Sequence, residues 1–300
     1  MKKYGYDLPI VVFFALLITF QSAGVSAENW STPDTLTISD TEFSEPHDLA
    51  ITPDGLYLMV ADKGNNVVKI LSPGDLRVIG EIGVGVFNSP HDVAISRLNK
   101  LYVADTENGR IMIYQFKGVS KYTGALIEPL GEWSEGITWP EGIAVGSGDR
   151  AYVADVKANA MLVLQDGKVI KTITQADGIT FSHPHDVDIA PDGTIYLTDP
   201  GNDRIVVFDP ELNVIRILTR ADYGFDEPKY LAIDEDGMVF VADENNDRIV
   251  MLDRHMTPTG DIDEGILDIA QPEGVSVAGR YIWVSDTANN RIILFRRNRL

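Results

Sequence analysis

From residue 43 onward the chain repeats one phrase of apolar and polar positions. An apolar residue stands two or three places before a proline, then x-x-apolar-x-apolar, a turn, and apolar-x-apolar-x-Asp. The prolines are Pro46, Pro90, Pro140, Pro184, Pro228 and Pro272, spaced 44, 50, 44, 44 and 44 residues apart. Each copy holds several short segments of period two and no helical periodicity, which predicts an all-β, six-bladed β-propeller. In the fourth copy Asp186 to Ala190 reads as the innermost strand, Pro191-Asp192-Gly193 as a hairpin turn and Thr194 to Thr198 as the second strand. Arg204 to Phe208 and Val214 to Leu218 follow as the third and fourth.

The two ends and the long interval refine this picture. The sixth copy stops after its third strand, Arg291 to Phe295, while Thr35 to Ile38 lies unused before the first copy. The N-terminal strand is therefore expected to complete blade six, closing the ring and leaving no open edge at the seam. Six extra residues in copy two fall within Phe116 to Gly124, the turn between strands three and four, on the face opposite the loops that enter the blades. Residues 1–27 are expected to lie outside the domain, which is 28–300. Lys2 and Lys3, the apolar run Leu8 to Phe20 and the small-x-small Val25-Ser26-Ala27 have the form of a secretory signal peptide. Thirteen residues fall short of the roughly 20 a spanning helix needs. The product is thus expected to be exported, periplasmic or extracellular, with no membrane contact after cleavage, and monomeric.

Composition narrows the partners. The chain has no cysteine, which excludes a disulfide framework, a thiolate metal site and a cysteine nucleophile. Against 45 acidic residues stand 25 lysines and arginines, for a formal charge of -20. Losing the leader removes two lysines and one aspartate, so -20 becomes -21. That sign repels a phosphate backbone and argues against nucleic acid. A peptide, glycan or small-molecule ligand on the loop face is the expected partner.

Two recurrent motifs converge on that face. Asp-x-x-Asn-x-Arg occurs from Asp105, Asp199, Asp243 and Asp286; copy one keeps Asp62 and Asn65 but has Val67, and copy three keeps only Asp155. Present in nearly every blade, it reads as a turn cap with an arginine clamping the carboxylate. The second motif is the residue straight after each proline: His47, His91, Glu141, His185, Lys229 and Glu273. Three of the five histidines of the chain share this one position around the channel mouth. Imidazole and carboxylate together suit a divalent metal, zinc first, with iron, manganese or calcium as alternatives. His47 and His185 are expected to face each other across the axis with His91 between. The competing reading is that these histidines only bond the adjoining blade, their tautomers fixed by Asp48, Asp92 and Asp186. His183 reads as a further ligand or a solvated loop residue.

The phrase Pro-x-Asp/Gly-Val-Ala-Ile followed by Leu/Ile-Tyr-Val-Ala-Asp-x-x-Asn-x-Arg-Ile resembles the NHL repeat over residues 43 to 295. Such propellers include binding scaffolds and enzymes. Among the enzymes the chain is distantly similar to the peptidyl-hydroxyglycine alpha-amidating lyase domain, whose zinc histidines occur in Pro-His phrases; the matching residues are His47, His91 and His185. The resemblance implies a binding platform with a metal at the channel mouth, or else a metal-dependent lyase or hydrolase. In the second case Glu141 or Glu273 would work beside metal-bound water. The chain departs from that lyase in two ways. Its histidines come from copies one, two and four, and no tyrosine stands two residues after a strand-ending aspartate. Lys229 and Tyr230 are the nearest basic and phenolic groups.

Overall fold

The computed structural model describes residues 30–39, 43–146, 148 and 150–299. The expected leader, residues 1–27, lies outside them. Six four-stranded antiparallel sheets form the blades of a propeller. Blade four runs Val187–Ile189, Ile195–Asp199, Arg204–Phe208 and Val214–Thr219, close to the strands read from the pattern. Blade six is completed from the other end of the chain: Trp30–Ile38 pairs antiparallel with Arg291–Arg299. The six extra residues of copy two lengthen the outer hairpin of that blade, Arg110–Ser120 against Gly124–Trp133. A two-stranded hairpin, Gln175–Ala176 with Ile179–Thr180, precedes blade four. Among the described residues no helix is long and apolar enough to cross a membrane.

The alternation along each strand decides where the core lies. Successive side chains leave a strand on opposite faces, so in Val239–Asp243 the residues Val239 and Val241 enter a cluster shared with blade four, while Phe240 and Ala242 enter one shared with blade six. The protein thus has six cores, one between each pair of neighbouring blades, rather than one at the centre. The seam is closed by the same means, since Leu49, Leu58 and Val60 of blade one pack with Trp283, Ile292 and Leu294 of blade six.

The recurrent aspartate is the fastener of each blade. In blade four Asp199 accepts Ser182 N–H through Oδ1 at 2.6 Å, and through Oδ2 the Asn202 amide at 2.8 Å and Arg204 Nε at 2.6 Å. Blades two, five and six repeat this arrangement around Asp105, Asp243 and Asp286. These carboxylates are fully buried and need such partners, because an unpaired buried charge costs several kcal/mol, on the order of 3–5. Blade one, lacking the arginine, solves the problem from two residues further on: Lys69 Nζ sits 3.0 Å from Asp62 Oδ2. Blade three satisfies Asp155 with no cation at all, through the Thr138 hydroxyl and the backbone N–H groups of Thr138, Trp139 and Ala158.

A second fastener runs between blades. The residue after each tight turn is left-handed, and when it is Asn or Asp its side chain accepts the N–H of the residue preceding the next blade's proline. These latches are Asn66 to Ser89, Asn159 to His183, Asp203 to Glu227, Asp247 to Gln271 and Asn290 to Glu45, at 2.7–3.1 Å. Each latched residue itself has positive φ, between 47° and 57°. The junction of blades two and three lacks a latch, because the corresponding residue is Gly109.

Candidate functional site at the channel mouth

A proline starts the innermost strand in five blades and stands three residues before it in blade four, and the six residues after the prolines form one ring. Their contacts follow blade order. Lys229 Nζ lies 4.0 Å from Glu273 Oε1, and Glu273 Oε2 lies 2.8 Å from His47 Nε2. The His47 and His91 rings meet edge to face, with centroids 4.7 Å apart. Glu141 bridges the remaining pair, with His91 Nε2 3.9 Å from Oε1 and His185 Nε2 2.7 Å from Oε2. Every histidine and glutamate of the ring is at least nine-tenths buried. Lys229 is held on its outer side by Glu244 at 2.6 Å.

The His47 and His91 tautomers are set by backbone, not by the aspartates of the competing reading. His47 Nδ1 faces Glu45 O at 3.1 Å and His91 Nδ1 faces Ser89 O at 2.8 Å. A carbonyl only accepts, so in both rings Nδ1 carries the hydrogen and Nε2 turns inward. Asp92 and Asp186 work elsewhere. Asp92 accepts Ile143 N–H of blade three, and Asp186 accepts Leu231 N–H of blade five at 2.9 Å. Asp188 likewise accepts Ile233 N–H at 3.0 Å. An innermost strand is an edge strand facing the channel, and these carboxylates satisfy its free N–H groups from the blade before. Burial pushes the carboxyl groups up, Asp92 to about 6 and Asp188 to about 7. Asp48 and Asp186 are raised well above the usual aspartate range, first by burial and then by Asp92. Together they line a cavity of about 310 Å³ inside the channel.

Tyr230 forms the floor between this tier and the ring. It is fully buried, its ring lies 5.1 Å from that of His185 and 6.4 Å from that of His47, and its hydroxyl donates to Glu141 O at 3.3 Å. Burial, then the surrounding carboxylates, hold the phenol protonated, well above its ordinary pKa. His183 stands outside the ring, exposed and latched through its backbone.

The electrostatics of the ring are uneven. Burial, then the neighbouring His47, lowers His91 to about 3, leaving it neutral. Burial alone would raise Glu141 and Glu273, but the imidazoles beside them outweigh it and both carboxyls fall well below the usual range. One contact therefore sets acceptor against acceptor. His91 presents a lone pair to the ionised Glu141. His47 spans Glu45 O at Nδ1 and Glu273 Oε2 at Nε2. Among the described residues no three His, Asp or Glu side chains already surround a common point as ligands of one ion. The donor chemistry nevertheless suits a cation, with three imidazoles and two carboxylates in one ring.

One side of the ring is open. A cleft of about 350 Å³ over blades three to five reaches Glu141, His185 and Lys229 across an apolar floor of Val156 and Pro200. Sequence reasoning missed Trp139, at its edge. The indole N–H donates to Glu141 Oε1 at 2.8 Å, and Lys157 Nζ stands 3.3 Å from the centre of the indole ring. The available signal was a tryptophan before the proline in the one copy that has lost both Asn and Arg.

Comparison with known proteins agrees with the architecture. The NHL repeat model matches residues 87–114, and the model described as a seven-bladed β-propeller lactonase matches residues 149–279, although six blades are present here. Protein STRICTOSIDINE SYNTHASE-LIKE 6 of Arabidopsis thaliana is 29% identical over 160 residues, 47% of this chain and 42% of the relative. Peptidyl-glycine alpha-amidating monooxygenase B of Xenopus laevis is 27% identical over 197 residues, 60% of this chain and 22% of the relative. The chain spans about two fifths of the length of the first of these curated relatives and less of the second. Among solved structures, virginiamycin B lyase from Staphylococcus aureus has 12% identity and a TM-score of 0.57, over 83% of this chain and 79% of the other, which shows a shared fold. The protein is thus a six-bladed propeller similar in part to the NHL and lactonase models, with a distant likeness to the amidating enzyme.

Proposed function

We propose that the protein is an exported binding platform whose channel mouth holds a divalent cation, zinc first, between His47, His91 and His185, and takes a peptide, glycan or small-molecule ligand through the adjoining cleft. The observation that carries this is the acceptor-to-acceptor contact of the neutral His91 with the ionised Glu141, beside His185 and the His47–Glu273 pair. A cation between His91 and Glu141 satisfies that imidazole lone pair and that carboxylate. The Nδ1–H to carbonyl bonds of His47 and His91 support the same reading, since metal-bound imidazoles are commonly held this way. Iron, manganese and calcium are the alternative ions.

A metal-dependent lyase or hydrolase is the second reading. It is favoured by Glu141, ionised, beside His185 and reached by the open cleft. Glu141 would then be the base, Glu273 and Lys229 balancing charge behind it. Tyr230 contributes the floor, its hydroxyl being spent on a carbonyl.

Metal analysis and zinc titration of the purified chain test the shared part of both readings. One equivalent of metal is expected, lost when His47, His91 and His185 are all replaced by Ala, with the strand signal in circular dichroism intact because the six inter-blade cores hold the fold. A wild-type protein that takes up no zinc, iron, manganese or calcium overturns the metal assignment. Sequencing of the secreted protein tests export; a mature chain beginning at Glu28 is expected.

A further inference from the structure

We infer that Trp139 is a positioning residue for the mouth, aiming Glu141 between His91 and His185, and that the missing inter-blade latch at Gly109 is what allows it. The inference deepens the reading of the mouth as a ligand site and rests on it for its consequence, though not for its geometry.

At five junctions the residue before the proline is pinned by an Asn or Asp of the preceding blade and held at positive φ. Those pinned residues are Glu45, Ser89, His183, Glu227 and Gln271, and none of their side chains bonds the ring residue two places on. At the sixth junction Gly109 offers no side chain, so Trp139 N–H turns to Asp155 Oδ1 of its own blade, at 3.1 Å, and the residue leaves the left-handed region. In that pose the indole N–H reaches Glu141 Oε1. Glu141 is then gripped at both oxygens, by Trp139 and by His185, whereas Glu273 has no comparable neutral donor. A neutral N–H fixes the carboxylate without competing for its charge. Lys157, over the indole face, braces the ring from outside.

The glycine is required by this arrangement. Gly109 has φ +63°, which Asn also tolerates, but a Cβ there would sit 3.2 Å from Thr138 O. Thr138 would have to give by a few tenths of an ångström. Gly109→Asn therefore supplies the absent latch and should pull residue 139 back, breaking the indole bond without touching Trp139 or Glu141.

The test uses the full chain with two readouts. In ¹H–¹⁵N spectra the Trp139 indole resonance should lie downfield, exchange slowly, and move upfield in Glu141→Gln and in Gly109→Asn. Zinc affinity should fall ten- to hundredfold in Trp139→Phe and in Gly109→Asn, the range expected when a group orienting a metal-site residue is lost. Unfolding midpoints near the wild-type value separate positioning from collapse. An indole resonance indifferent to Glu141→Gln overturns the positioning role. A Gly109→Asn protein with wild-type indole signal and affinity overturns the latch as its cause. If wild-type protein binds no metal, the metal reading fails while the indole resonance still decides this inference.

Discussion

Blades three and four face the same physical problem and solve it differently. Each buries an aspartate completely at the end of its second strand. Blade four neutralises Asp199 with Arg204, itself 3% exposed, and adds Asn202. It also reaches into blade five with Asp186 and Asp188. Blade three has Gly142 and Ala144 at those inner positions and surrounds Asp155 with backbone N–H groups and one hydroxyl. A buried carboxylate must be satisfied, but the donors are interchangeable. Where backbone and Thr138 do the work, the side chains at the rim are free for the mouth, and Trp139 and Lys157 occupy it.

The largest expected difference lies in the two aspartates. Asp199→Ala strands a buried guanidinium and should cost about 3–5 kcal/mol in urea unfolding. Asp155→Ala leaves only neutral groups unpaired, and about 1–3 kcal/mol is expected. Equal losses would break the comparison, because they would mean that Arg204 contributes no charge penalty.

A pH series sharpens the contrast at the inner tier. Asp188, raised by burial to about 7, binds a proton in the folded state that an unfolded aspartate has released above about 4. The folded state then holds more protons between these values, so this group makes stability fall as pH rises from about 4 through 7. Asp188→Asn should flatten the decline in melting temperature over that window, whereas Ala144→Ser in blade three should leave its slope unchanged. A wild-type slope retained in Asp188→Asn would refute the assignment.

The latches give a smaller effect. Asn159→Ala frees His183 N–H, which is exposed enough for water to replace the bond, and about 0.5–1 kcal/mol is expected in thermal unfolding. Smallest of all, Lys157→Ala removes only an exposed cation from an indole face and should change stability by less than about 0.5 kcal/mol. A larger loss there would show that blade three depends on its rim for more than the site.

The pattern along the chain carried the architecture because blades are built from local rules. Period two sorted side chains between neighbouring cores, and the spare strand at Thr35 to Ile38 matched the strand missing from blade six. The aspartate clamp was legible for the same reason, since Asp, Asn and Arg lie within five residues of one another. The ring residues were legible as a set: one repeat position must give one circle. Their partnerships were not. Asp48, Asp92 and Asp186 sit beside the histidines in sequence, and the competing reading has them fix the tautomers, yet strand alternation sends Asp92 and Asp186 to the next blade's backbone.

The sequence by itself determined the six blades and the six residues at the mouth, since each follows from spacing and alternation within some 50 residues, and the closure, since the spare strand and the missing one stand at the two ends. Only the tertiary structure decided that His47 pairs with Glu273, that Glu141 serves two histidines, that Tyr230 closes the floor, and that a glycine in blade two frees a tryptophan in blade three. The mouth contacts join residues 44 to more than 220 positions apart, and they depend on how closely neighbouring blades approach the axis. That approach is set by the packing of six separate cores at once.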